Sequence, residues 1–400
     1  VAHKQDPDIY QVDANTVRIV FATAPGTDAM RVRVIGFNRV GNEGGDGGVD
    51  TSEQYIYRAG WSTEYATDNI HKIGLDGVTI WATQESSTAY EQYESNIYSV
   101  ATDPTGNLYY AGYSWYHYVG TTATEYNVGS LDAAGTSRWR FLTGNGHSAH
   151  GIAAMPNGNV VIYHQAHTPI GATSGTASMS VVDGSDGAVV WQLNSPQTPL
   201  QRFPLAVDAS NNIYSAGNRT SNVSIWAYTS AGADLWTADS GGAVYALAVD
   251  PTQSYLYTAG AVTATANMRR FDLITGAENT AGSWPVLIDA SPGAIALDED
   301  GVVYAIGYQA SGTSVIHAYN SSGTQLWETV FSGPGDAAWS LVPSLNGKVY
   351  VAGNTQLRMF DATTGAESTN GFPVAFGTQQ TRTIDLMPGK VGAFPSEWGV

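Results

Sequence analysis

The sequence predicts an all-β fold: a seven-bladed β-propeller of four-stranded blades, with a C-terminal strand closing the first blade and a short N-terminal β segment. Three observations predict it. A strand-turn-strand phrase recurs, as LAVDASNNIYSAG at 205–217 and LAVDPTQSYLYTAG at 247–260. A Gly followed four residues later by Trp recurs in step with it. Finally, no long segment carries apolar residues at i, i+3, i+4 and i+7, and the 45 Gly interrupt every candidate helix.

Residues 1–40 stand outside the repeat. IYQVDANTVRIVFATAP and MRVRVIGF alternate apolar and polar residues, which predicts a two-strand hairpin joined by Gly26, Thr27 and Asp28, an attachment element. GNEGGDGGVD at 41–50 reads as a flexible linker, leaving 51–400 for the propeller. There, IYSVATDPTGNLYYAGYS from Ile97, GIAAMPNGNVVIYHQ from Gly151, AIALDEDGVVYAIGY from Ala294 and SLVPSLNGKVYVAGN from Ser340 each give two short strands around a turn. Asp, Asn and Gly supply the caps and left-handed positions that tight turns need.

A third and fourth strand follow, as in VSIWAYTSAGADLWTA from Val223 and SVIHAYNSSGTQLWET from Ser314. The Gly and aromatic pairs are Gly77 and Trp81, Gly135 and Trp139, Gly187 and Trp191, Gly232 and Trp236, and Gly323 and Trp327. Gly276 with Trp284 and Gly365 with Phe372 are looser versions. Seven anchors, 43 to 58 residues apart, fit seven blades. The first unit lacks an innermost strand, and TRTIDLMPG at 381–389 reads like a detached one, so the C-terminus is expected to close the ring and remove open sheet edges.

Composition narrows the function classes. With 35 Asp and Glu against 17 Lys and Arg, the formal charge of −18 repels polyphosphate and argues against general nucleic-acid binding. The absence of Cys removes disulfides and thiolate metal sites. No stretch approaches the roughly 18 consecutive apolar residues of a membrane helix, so membrane insertion is not expected. After Val1 there is no Lys-rich leader or apolar run, so a signal peptide is read as absent or removed.

AYNSSGTQLWET, VVDGSDGAVVWQ and FDATTGAES resemble the repeat of quinoprotein-like propellers, and VATDPTGNLYYAGYS resembles a repeat of many bacterial secreted propellers. The resemblances span about 55–394 and imply architecture, since propellers host unrelated activities. Quinone-dependent dehydrogenases of that superfamily have eight blades, a vicinal Cys pair and a cofactor-linked calcium; seven blades without Cys argue against that chemistry. The Asp-box of sialidase-like propellers places Trp three residues after its Gly, whereas the spacing here is four. DIYQVDANTVRIVFATAPGTDAMRVRVIGF at 8–37 looks like a short module of bacteriophage tail and fibre proteins, which implies a virion component.

Residues at the start of the innermost strands are expected to ring one mouth of the central channel. Counting five back from the turn gives Tyr98, His150, Phe203, Tyr245, Gly293, Ala338 and Arg382, with Trp339 one position further along. Their aromatic rings could stack on a sugar or a protein side chain, or simply pack the channel between blades. The pairs HSAH and HQAH place His147, His150, His164 and His167 in one blade, as weak candidates for a divalent metal. Residues three apart on a strand point to opposite faces, so the expectation is no metal and no cofactor. Asp103, Asp208, Asp250 and Asp298 recur too regularly for catalytic acids and are read as turn caps; DEDG lacks the spacing of a calcium loop.

No nucleophile elbow, zinc-protease, P-loop or dinucleotide motif is present in the sequence. The expectation is a non-catalytic structural or adhesion component of a bacteriophage virion, in the tail or fibre. Its partners would be other virion proteins or a host surface glycan or protein, with a homo-oligomer possible within the assembly. Two alternatives stand beside it: an exported scaffold, extracellular or periplasmic, that binds partners at blade edges, and a polysaccharide-cleaving enzyme with its site at the channel mouth.

Overall fold

A computed structural model describes residues 8–13, 16–20, 54–62, 69–83, 93–116, 128–141, 147–166, 177–194, 204–220, 222–263, 266–309, 313–331, 338–353, 355–376 and 380–387. The N-terminal piece, a unit apart from Asp50–Val391, contains the antiparallel pair β1 (Asp8–Asp13) and β2 (Thr16–Val20). This differs from the sequence expectation. The stretch read as one strand is itself a hairpin, paired from Asp8 opposite Val20 to Asp13 opposite Thr16. Gly26, Thr27, Asp28 and the MRVRVIGF strand lie outside the described residues.

The second unit is the propeller. Blade 1 holds β3 (Tyr55–Ser62), β4 (Ile70–Gly74) and β5 (Thr79–Thr83). Blade 2 holds β6 (Tyr93–Thr102), β7 (Leu108–Tyr116), β8 (Val128–Leu131) and β9 (Ser137–Phe141). Blade 3 is β10 (His147–Ala154), β11 (Asn159–Ala166), β12 (Ala177–Asp183) and β13 (Val189–Asn194). Blade 4 is β14 (Leu205–Val207), β15 (Ile213–Thr220), β16 (Val223–Tyr228) and β17 (Asp234–Ala238). Blade 5 has β18 (Val244–Val249), β19 (Tyr255–Thr263) and β20 (Ala266–Asp272), with its outer position taken by Val286, which bridges Met268. Blade 6 is β21 (Ser291–Leu297), β22 (Val303–Tyr308), β23 (Ser314–Tyr319) and β24 (Gln325–Phe331). Blade 7 is β25 (Ala338–Ser344), β26 (Lys348–Gly353), β27 (Gln356–Asp361) and β28 (Val374–Ala375). The last strand, β29 (Gln380–Met387), returns to pair with β3 from Gln380 opposite Trp61 to Met387 opposite Tyr55. The C-terminal closure expected from the sequence is therefore present, and all seven blades are antiparallel.

The core lies between blades rather than within them. Seven apolar clusters each join two neighbours: Tyr257 and Met268 of blade 5 pack on Ile295 and Ala305 of blade 6, and the cluster of Ile56, Ile73, Tyr350 and Leu357 joins blade 7 to blade 1. Burial on both faces explains why the inner strands are nearly continuous runs of Val, Ile, Leu and Ala.

The Gly and Trp repeat also works across blades. The indole N–H of Trp81 donates to Ala133 O of the next blade at 3.1 Å. Trp139 donates to Gly184 O at 2.9 Å, Trp191 to Ser230 O at 2.8 Å and Trp236 to Leu273 O at 3.0 Å. Trp284 donates to Ser321 O at 3.0 Å and Trp327 to Ala362 O at 2.9 Å. Each ring lies under the turn glycine of that next blade. A Cβ on Gly276 would fall 2.6 Å from the Trp236 ring, and one on Gly365 2.5 Å from Trp327, so Gly is required for space as well as for its positive φ. The seventh interface replaces the indole with Phe372, packed against Tyr350.

Candidate functional site

The ring positions share one backbone device. In six of the seven innermost strands the register against the partner slips by one residue: between Ile97 and Ser99, Ala149 and Gly151, Val244 and Ala246, Pro292 and Ala294, Ala338 and Ser340, and Thr381 and Thr383; the described part of β14 in blade 4 pairs without a slip. The extra residues are Tyr98, His150, Tyr245, Gly293, Trp339 and Arg382. A bulge frees one residue from the ladder and re-aims its side chain, which suits a position where blades differ. Counting from Ser344, which takes the place of the turn Asp in blade 7, the ring residue is Trp339. The sequence count that gave Ala338 is one position early, and Ala338 instead pairs in the ladder with Gly353.

The structure brings two of these residues together. The rings of Tyr98 and His150, from adjacent blades, stack at 4.8 Å between centroids and 17° between planes, and both are half-buried. Tyr245 is also half-buried. Phe203 lies outside the described residues, as do the side chains of Trp339 and Arg382.

The histidines do not converge where they are described. His164 is buried, with Nε2 2.8 Å from Ser180 Oγ, while His150 stacks on Tyr98. His147 sits on β10 opposite Ala166; its side chain and all of His167 lie outside the described residues. Among the described residues no group of three His, Asp or Glu could hold a metal, and no helix is long and apolar enough to cross a membrane.

The recurrent Asp residues cap turns. Asp103 Oδ1 accepts the backbone N–H groups of Thr105 (2.9 Å) and Asn107 (3.0 Å), and Oδ2 accepts the Tyr109 hydroxyl at 2.8 Å. Asp208 repeats this with Ser210, Asn212 and Tyr214, and Asp298 with Asp300, Val302 and Tyr304. Asp250 caps Ser254 and Tyr255 instead, because its turn is one residue longer. Burial works against ionisation of Asp103, but hydrogen bonds from Thr105, Asn107 and Tyr109 overcome it and hold the carboxyl below its ordinary range. Burial, then Asp103 itself, pushes the Tyr109 phenol up to about 12. These acids act as turn fasteners, each already accepting hydrogen bonds from its own turn.

The cavity at the channel lies at the other end of the inner strands. It measures about 380 Å³ and is lined where β6, β21, β25 and β29 run out, by Thr102, Asp298, Ser344 and Asp385 among others, together with Gln54. None of the ring residues lines it. Sequence reasoning missed it because its walls come from four blades; the available signal was Asp385, which occupies a position that is alanine in five other blades. A second groove of about 470 Å³ lies at the rim between blades 3 and 4, with Trp226 and Trp236 in its wall.

No family model and no curated protein matches this chain. Solved structures do. A functionally unknown protein from Desulfotomaculum acetoxidans aligns with a TM-score of 0.54 at 12% identity, covering 82% of this chain and 98% of that one. A protein from Lactobacillus plantarum aligns with a TM-score of 0.55 at 16% identity, covering 84% and 99%. At these identities the likeness shows the propeller fold alone.

Proposed function

We propose that the chain is a non-catalytic binding scaffold and a component of a bacteriophage virion, in the tail or fibre. The bulge-bearing end of its channel would hold a neighbouring virion protein or a host-surface glycan. The observation that carries this reading is the ring itself: one backbone bulge repeated at the same place in six blades, falling at Tyr98, His150, Tyr245, Gly293, Trp339 and Arg382. Constant backbone with varied side chains is how a rigid frame builds a recognition surface, and aromatic and Arg residues dominate such surfaces. The tail-module resemblance of residues 8–37 supports the virion setting.

Mass spectrometry of purified particles tests the setting: the protein should be recovered in fixed copy number with known tail proteins, and its absence from particles would overturn the proposal. Tyr98→Ala combined with Tyr245→Ala tests the ring. It should weaken binding of particles or purified protein to host cells by about tenfold, the effect of losing one or two aromatic contacts, while the melting temperature stays within a few degrees. Unchanged binding would remove the ring from the proposal.

A further inference from the structure

In blades 2 to 7 a turn joins the innermost strand to the second. In blade 1 these strands are β29 and β3, from opposite ends of the propeller chain, so no direct turn links Met387 to Tyr55. At that seam the channel holds the cavity of about 380 Å³, within the range of roughly 300–1,000 Å³ for small-molecule sites.

Two departures from the repeat meet there. The position two before the turn is Ala101, Ala153, Ala206, Ala248 and Ala296 in blades 2 to 6 and Val342 in blade 7, but Asp385 in blade 1. The next position carries a hydroxyl only in blade 2, as Thr102. Asp385 Oδ2 accepts from Thr102 N at 2.7 Å and from its Oγ1 at 2.8 Å. A third feature points to a ligand. Gln54, 2% exposed, accepts the Ser344 hydroxyl through Oε1 at 2.8 Å, while its Nε2 has no hydrogen-bond partner. A buried donor left unmatched is costly enough to be rare in folded proteins.

We propose that this cavity seats a neutral saccharide. An ammonium, guanidinium or metal cation would suit the carboxylates but leave the Gln54 amide nitrogen without an acceptor. An anion would satisfy Gln54 but meet Asp298, Glu299 and Asp385. Hydroxyl groups both donate and accept, so one polyhydroxylated ligand serves the carboxylates and the amide together. Leu297, Val342 and Pro343 supply the apolar wall against which the C–H face of a pyranose packs. The inference goes beyond the virion proposal and does not depend on it.

The test is titration calorimetry and saturation-transfer NMR on the full chain, with neutral mono- to tetrasaccharides of glucose, galactose, mannose and N-acetylglucosamine. At least one should bind, and Gln54→Leu should weaken it by about tenfold, the loss of one buried hydrogen bond. Thr102→Val, nearly isosteric, is the second variant in case Gln54→Leu fails to fold, and should weaken binding in the same direction. Tyr98→Ala, at the other end of the channel, should leave it unchanged. The proposal is overturned if no saccharide binds, if Tyr98→Ala abolishes binding while the cavity variants do not, or if tetralysine binds in place of the sugars. Absence of the protein from phage particles would sink the virion reading and leave this titration unaffected.

Discussion

Gly276 and Gly301 both adopt left-handed backbone, at φ 70° and 79°, yet they are not equivalent. Nothing lies within 4 Å of a Cβ built on Gly301, whereas one on Gly276 strikes the Trp236 ring. Gly301→Ala should therefore cost only the left-handed penalty of roughly 1–2 kcal/mol. Gly276→Ala should add roughly 1–3 kcal/mol for displacing the ring, and paired denaturant titrations with unchanged m-values would check the difference. His317 gives a pH prediction. It is 3% exposed, and burial pushes its pKa below the ordinary imidazole value, opposed by Glu328 and Asp289. Below about pH 6.5 the unfolded chain takes up a proton that the folded chain resists. Stability should be flat in this contribution above that pH and fall as pH drops from there towards the folded value. Melting temperatures between pH 8 and 5 should decline more for the wild type than for His317→Gln; parallel curves would refute the assignment. Lys348, 2.9 Å from Asp361, with hydrogen bonds from Thr364, holds that carboxyl down at about 2, so its contribution is lost only between about pH 4 and 2.

At the scale of elements, the spacing of Gly and Trp was legible from the sequence, but its partners were not. The two residues are four apart on one blade, while each makes its contact with a different neighbouring blade, and one-dimensional spacing carries no inter-blade pairing. The bulges were legible only as a constant offset from the turn, because Tyr98, His150 and Gly293 have no side-chain chemistry in common. Where the turn residue changes to Ser344 the offset becomes ambiguous, which is how Ala338 stood in for Trp339. The N-terminal stretch read as one strand holds two for a related reason: in the sequence, alternation continues from Val12 through Asp13, Ala14 and Asn15, so no break in the period-two pattern separates β1 from β2. The indole contact is separable from the ring's packing. Trp236→Phe keeps an aromatic face against Gly276 but loses the donor to Leu273 O, and should cost about 1–2 kcal/mol. Trp327→Phe acts at a different interface, so the double variant should sum the two losses to within about 0.5 kcal/mol. A markedly larger double effect would show that the interfaces communicate.

For the whole molecule, the ring topology decides both where the candidate cavity forms and how the fold fails. Gln54, Thr102, Ser344 and Asp385 are remote in sequence and meet only because the ring closes, so no local motif could announce them; Asp385 among the alanines was the one visible trace. Closure rests on β29, which buries Ile384 against the blade 7 and blade 1 cluster, bonds to Ser340 on one side and holds Thr102 through Asp385 on the other. Removing residues 380–400 would strip the inner edge of β3 of its partner and uncover Ile56, which is wholly buried in the closed ring. An open sheet edge beside exposed aliphatic surface is a template for intermolecular pairing. The truncated chain should lose its cooperative melt and scatter light in a concentration-dependent way, and a synthetic peptide of residues 378–389 should reverse both by re-forming the β29 and β3 ladder. The same peptide with Asp385→Ala should restore closure less well, because it leaves the Thr102 N–H without its acceptor. A truncated chain that melts like the full-length protein would show that six complete blades and an open seam are sufficient, and that β29 serves the cavity rather than the fold.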